Sequence, residues 1–102
     1  GDMKIKNLEK FIRKIQKSFS KAGITTVIEK GLPPYDAYEI HSKFRDLTIK
    51  VAIIYDEKMT TFYFYRDGLH HCDITICSAY FDTQKHLIEA LRLIATSSCK
   101  VR

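Results

Sequence analysis

Apolar residues recur along the first part of the chain at helical spacing. Leu8, Phe11, Ile12, Ile15, Phe19 and Ala22 follow the i, i+3, i+4, i+7 rule, and Gly23 stands where a left-handed C-cap residue is expected. The pattern predicts a helix over residues 5–22. Beyond it the period shortens to two. Leu47, Ile49, Val51, Ile53 and Tyr55 alternate with Thr48, Lys50 and Ala52, which is strand patterning. Five strands are expected: Ile24–Lys30, Tyr35–Ser42, Leu47–Tyr55, Thr60–Tyr65 and His70–Ser78. They are separated by Gly31-Leu32-Pro33-Pro34, a polar turn around Lys43–Asp46, the Asp56–Met59 break and Arg66-Asp67-Gly68. A last helix is expected to start at Asp82, whose carboxylate can cap the first turn, and to bury Leu87, Ile88, Leu91, Ile94 and Ala95.

Turns this short imply antiparallel neighbours, hence a five-stranded meander. Register then decides which side chains share a face. Phe62-Tyr63-Phe64-Tyr65 offers an aromatic to both sides of the sheet. A two-residue Asp67-Gly68 turn with a regular ladder sets Phe62 opposite Asp73, pairing an aromatic with a charge. A three-residue Arg66-Asp67-Gly68 loop, with Gly68 left-handed as a bulge, sets Phe62 opposite Cys72 and Thr60 opposite Ile74. The bulged loop is therefore expected. Phe62, Phe64, Cys72, Ile74 and Ile76 then share one face, and the Asp56–Met59 turn extends it to Ile53 and Val51. Both helices are expected to pack there, giving a two-layer α+β domain.

The opposite face then carries Thr48, Lys50, Ala52, Ile54, Thr61, Tyr63, Tyr65, His71, Asp73, Thr75 and Cys77. Two tyrosines with aliphatic neighbours suit a contact surface. Tyrosine is also common on the wet face of an antiparallel sheet. Tyr63, Tyr65, Ile54, Ala52, Lys50 and His71 are the expected partner-binding residues, for another protein or a second copy of this chain as a homodimer.

Length and composition change the picture little. The chain has 102 residues, 45% hydrophobic, enough for one domain with a modest core. That domain is expected over residues 4–102, with residues 1–3 read as a cloning remnant and start Met. No apolar run approaches the roughly 20 residues of a membrane span. Neither an apolar signal core nor scaffold spacing of Cys72, Cys77 and Cys99 is present, so a cytoplasmic location is expected.

Charge is the more informative quantity. Residues 3–22 hold Lys4, Lys6, Lys10, Arg13, Lys14, Lys17 and Lys21 against Glu9 alone, a net of +6 in a chain whose total is +5. The remainder is slightly acidic. Burying the apolar stripe puts a ridge of like charges into water. Lys10, Lys14, Lys17, Lys21 and Arg13 are the expected contacts if the helix binds nucleic acid through phosphates, with strong salt dependence. Membrane insertion is not expected, because the core claims the apolar stripe. An open aromatic sheet with helices is similar in outline to RNA-recognition modules, yet Thr61–Arg66 lacks their Gly-aromatic pattern.

Catalytic signatures are missing from the sequence. There is no Walker-type or dinucleotide glycine loop, no GxSxG and no HExxH. Cys77 and His86 could pair only through the fold. In His70-His71-Cys72, a regular strand lets at most His70 and Cys72 converge, and no zinc spacing accompanies them. The sequence predicts a non-enzymatic domain with no metal, no cofactor and no small-molecule substrate.

Overall fold

A computed structural model describes residues 2–31, 36–80 and 85–97, with side chains at 8–31, 37–79 and 88–97. The first helix, α1, runs Asp2–Lys21. It buries Leu8, Phe11, Ile12, Ile15 and Phe19, none more than 3% exposed. Its end is a Schellman motif. Gly23 has φ +79°, its N–H donates to the Ser20 carbonyl at 3.1 Å, and the Ile24 N–H donates to the Phe19 carbonyl at 2.9 Å. Ile24 is thus spent on the cap and buried beside the helix, so the first strand begins one residue later than expected.

The strands are β1 Thr25–Lys30, β2 Asp36–Phe44, β3 Leu47–Tyr55, β4 Met59–Arg66 and β5 Leu69–Cys77. They form one antiparallel sheet in the order β1-β2-β3-β4-β5, the expected meander. The β2 strand runs two residues further than its hydrophobic pattern suggests. Phe44 pairs with Leu47, leaving only Arg45 and Asp46 to turn the chain, with Arg45 at positive φ. Ser78 leaves the ladder to begin a short 3₁₀ turn, Ser78–Tyr80. Its hydroxyl bonds the buried Thr60 hydroxyl at 2.7 Å and the Asp56 carbonyl, closing β5 onto the β3–β4 turn. The last helix, α2, spans Lys85–Thr96 and buries Leu91 and Ala95, with Ile88 and Ile94 packed alongside. The expected cap Asp82 and the side chain of Leu87 lie outside the described residues.

Both helices cover one face of the sheet. Tyr38, Ile40, Ile49, Val51, Ile53, Phe62 and Phe64 meet the α1 stripe, Leu91 and Ala95 in a single core. This is the two-layer α+β architecture that the patterning predicts. Ile53 faces Phe62 and Val51 faces Phe64, as the four-residue turn requires.

The β4–β5 hairpin corrects the expected loop. Its turn has two residues, Asp67 and Gly68, at φ 51° and 82°, with Arg66 opposite Leu69. Both central residues are left-handed, the condition of a type I′ turn, whose twist matches that of the strands. The extra residue lies farther down, in β5. Tyr65 faces His70 while Phe64 faces Cys72, so His71 is unpaired at a β-bulge. The bulge restores the inward set: Phe62 faces Ile74 and Thr60 faces Ile76. The expected grouping of Phe62, Phe64, Cys72, Ile74 and Ile76 holds, with pairings displaced by two residues from those of a three-residue loop.

Candidate functional site

Strand alternation places Val27, Glu29, Ala37, Glu39, His41, Lys50, Ala52, Ile54, Tyr63, Tyr65 and Asp73 on the face away from the helices. Register aligns them in rows across the sheet. Glu29 faces Glu39, Glu39 faces Ala52, Ala52 faces Tyr63 and Tyr63 faces Asp73. In the neighbouring row Val27, His41, Lys50, Tyr65 and His70 are successive partners. Tyr63, Tyr65, Ala52 and Lys50 are half-buried, whereas Ile54 is 39% exposed and Val27 57%.

The rows are joined by side-chain contacts from one edge to the other. His41 Nε2 lies 3.5 Å from Glu29 and 3.0 Å from Glu39 Oε1. The Lys50 ammonium lies 4.0 Å from Glu39 Oε2 and 4.4 Å from the centre of the Tyr65 ring. The Tyr65 ring meets His70 edge-on at 5.7 Å, and His70 Nε2 is 3.8 Å from Asp73. Glutamates directly opposite one another repel across an antiparallel pair, and His41 and Lys50 are the groups placed to offset this. The result is an ordered polar belt around a tyrosine.

The expected contact residues of β3 and β4 are on this face; His71 of β5 is unpaired at the bulge, and His70 takes the ladder position opposite Tyr65. The same bulge separates His70 from Cys72. His70 reaches the outer face while Cys72 packs against the core, so the pair does not converge as a regular strand would allow. Glu29, Glu39 and His41 do converge, with donor atoms all within 4.8 Å, and could hold a metal ion. They escaped sequence reasoning because their spacing is revealed only by the β1–β2 register; period-two placement of Glu39 and His41 was the available clue. Cys72 and Cys77 are both half-buried. The side chain of His86, the expected partner of Cys77, lies outside the described residues, as does Cys99.

The second candidate surface is α1. Lys10, Arg13, Lys14, Lys17 and Lys21 are all exposed, and among the described residues none makes an ion pair. Glu9, the acid among them, is turned inward and accepts a hydrogen bond from the Tyr38 hydroxyl at 3.0 Å. The ridge borders two depressions. Arg13, Lys17 and Lys21, with Gln16 and Ser20, form one wall of an open groove of roughly 900 Å³ whose other wall is residues 23–26. Lys14 lines a smaller depression with Ile88 and Glu89 of α2, which Lys17 and Lys21 also border, so these two lysines stand between the two spaces.

No protein-family model matches the chain, and neither a curated protein nor a solved structure is significantly similar to it. Among the described residues, no helix is long and apolar enough to cross a membrane.

Proposed function

We propose that this domain is a non-enzymatic interaction module that binds a protein surface, either a partner or a second copy of itself, through the outer face of its sheet. The observation that carries this reading is the pairing of Tyr63 with Ala52 and of Tyr65 with Lys50, on the face that α1 and α2 leave uncovered. Tyrosines in a regular strand lose little side-chain freedom on binding, and each offers an apolar ring with a polar tip. The belt of His41, Glu39, Lys50, His70 and Asp73 supplies a polar rim. An interface of useful size covers about 800 Å² per partner, within reach of a five-stranded sheet. The test is Tyr63→Ala with Tyr65→Ala, followed by light scattering on size exclusion and by partner capture. Loss of the dimer or of the captured protein supports the reading. Unchanged mass and unchanged capture reject it.

A second reading is favoured by Lys10, Arg13, Lys14, Lys17 and Lys21, which make no ion pair among the described residues: nucleic-acid binding through phosphates. Glu9 is hydrogen-bonded to Tyr38 and forms no ion pair with these cations. Replacing Lys10, Lys14 and Lys17 with Gln shallows the salt dependence of binding, since each phosphate contact contributes to the slope. Absence of any nucleic-acid retention at low salt removes this reading.

A further inference from the structure

The groove between α1 and β1 differs from the rest of the basic ridge. Its charged lining residues are Arg13, Lys17 and Lys21, and among the described residues no carboxylate lines it. Gln16 donates its amide to the Thr26 carbonyl at 3.3 Å, which pins the groove floor to the strand. Ser20 and Thr25 add hydroxyls. The space between helix and strand is open to solvent and measures roughly 900 Å³. Arg13, Lys17 and Lys21 stand at i, i+4 and i+8, rising about 6 Å at each step. That is a line of cations along a trough, suited to consecutive phosphates of one extended strand.

We infer that the α1–β1 groove is a phosphodiester site that seats a single nucleic-acid strand, with Arg13 forking one phosphate and Lys17 and Lys21 meeting the next ones. This rests on the second reading above and narrows it from a diffuse ridge to the groove between helix and strand. Arginine is suited to the first position because its planar fork can give two parallel bonds to phosphate oxygens. Lys14 is adjacent in sequence, exposed and equally charged, but it lines the neighbouring depression beside Glu89 and not the groove, whereas Lys17 and Lys21 border both.

The neighbouring pair gives the test. A fluorescein-labelled single-stranded oligothymidylate is titrated with the protein and followed by anisotropy at low and at physiological salt. Arg13→Gln is expected to weaken binding about tenfold, and Lys14→Gln by less than about threefold. Arg13→Lys, which keeps the charge and loses the fork, is expected to fall between. Inorganic pyrophosphate is expected to release the oligonucleotide more effectively than sodium chloride of equal ionic strength. Equal losses for Arg13→Gln and Lys14→Gln, or no advantage for pyrophosphate, overturn the groove while leaving ridge binding intact. Pyrophosphate binding without oligonucleotide binding overturns it in favour of a small phosphorylated ligand. No binding of either probe by the unsubstituted protein overturns both groove and ridge.

Discussion

The hydroxyl of Tyr38 donates a 3.0 Å hydrogen bond to the carboxylate of Glu9, tying β2 to the N-terminal helix across 29 residues of sequence. Tyr38 is buried and Glu9 half-buried. The bond holds α1 in place and keeps the carboxylate away from the lysines of the outer side. Tyr38→Phe is expected to cost about 1–2 kcal/mol, because the bond goes to a charged acceptor that retains some access to water. Urea denaturation measures it; an unchanged midpoint shows that the contact contributes nothing.

Adjacent aromatic positions of β4 are expected to respond oppositely. Phe62 and Phe64 are fully buried, so truncation to Ala leaves a cavity and costs about 3–5 kcal/mol, a large part of a small domain's stability. Tyr63→Ala and Tyr65→Ala are expected to cost about 1 kcal/mol or less each, the Tyr65 change including loss of the Lys50 contact. Thermal unfolding of the four variants is the measurement. Comparable losses at all four contradict the assigned register.

The bulge makes a sharper prediction. Since Tyr65 faces His70 and Phe64 faces Cys72, deletion of His71 leaves a regular ladder with every inward residue still inward. Circular dichroism is expected to show a folded protein with a similar melting temperature. Deletion of Thr75 instead shifts the end of β5 by one residue, turns its apolar set toward water and abolishes cooperative melting.

Two glycines separate backbone strain from crowding. A Cβ at Gly23 meets nothing within 4 Å, so Gly23→Ala is expected to cost about 1 kcal/mol, from the left-handed conformation alone. At Gly31 a Cβ falls 2.9 Å from that of Ala37 and 3.1 Å from its carbonyl oxygen. Gly31→Ala must therefore move the start of β2, at a cost of about 1–3 kcal/mol. Paired denaturation curves give the order, Gly31→Ala being the less stable.

The order of elements and the inward set were legible because both depend on local periodicity. The α1 stripe, the Gly23 cap and the Ile53–Phe62 pairing are carried by spacing within one helix or across one short turn. What escaped depends on accommodation between strands. Asp67 in a left-handed conformation satisfies the turn, and His71 then absorbs the mismatch between turn and core. A bulge of this kind leaves no composition signal; the mistake lay in assigning the extra residue to the loop. The Glu29, Glu39 and His41 cluster escaped for a related reason, since the Gly31–Tyr35 connection does not specify how β1 slides along β2. The groove beside Arg13 depends on where β1 leaves the cap, which periodicity within α1 cannot show.

The Schellman joint passes the chain from α1 into β1 through three residues, Ala22, Gly23 and the buried Ile24, a short and hydrogen-bonded connection. The cationic side of the helix is consequently fixed in bearing to the sheet, and it points away from the tyrosines. Two visitors could approach from opposite sides without colliding, so the domain has the geometry of a bridge as well as that of a single-faced clamp.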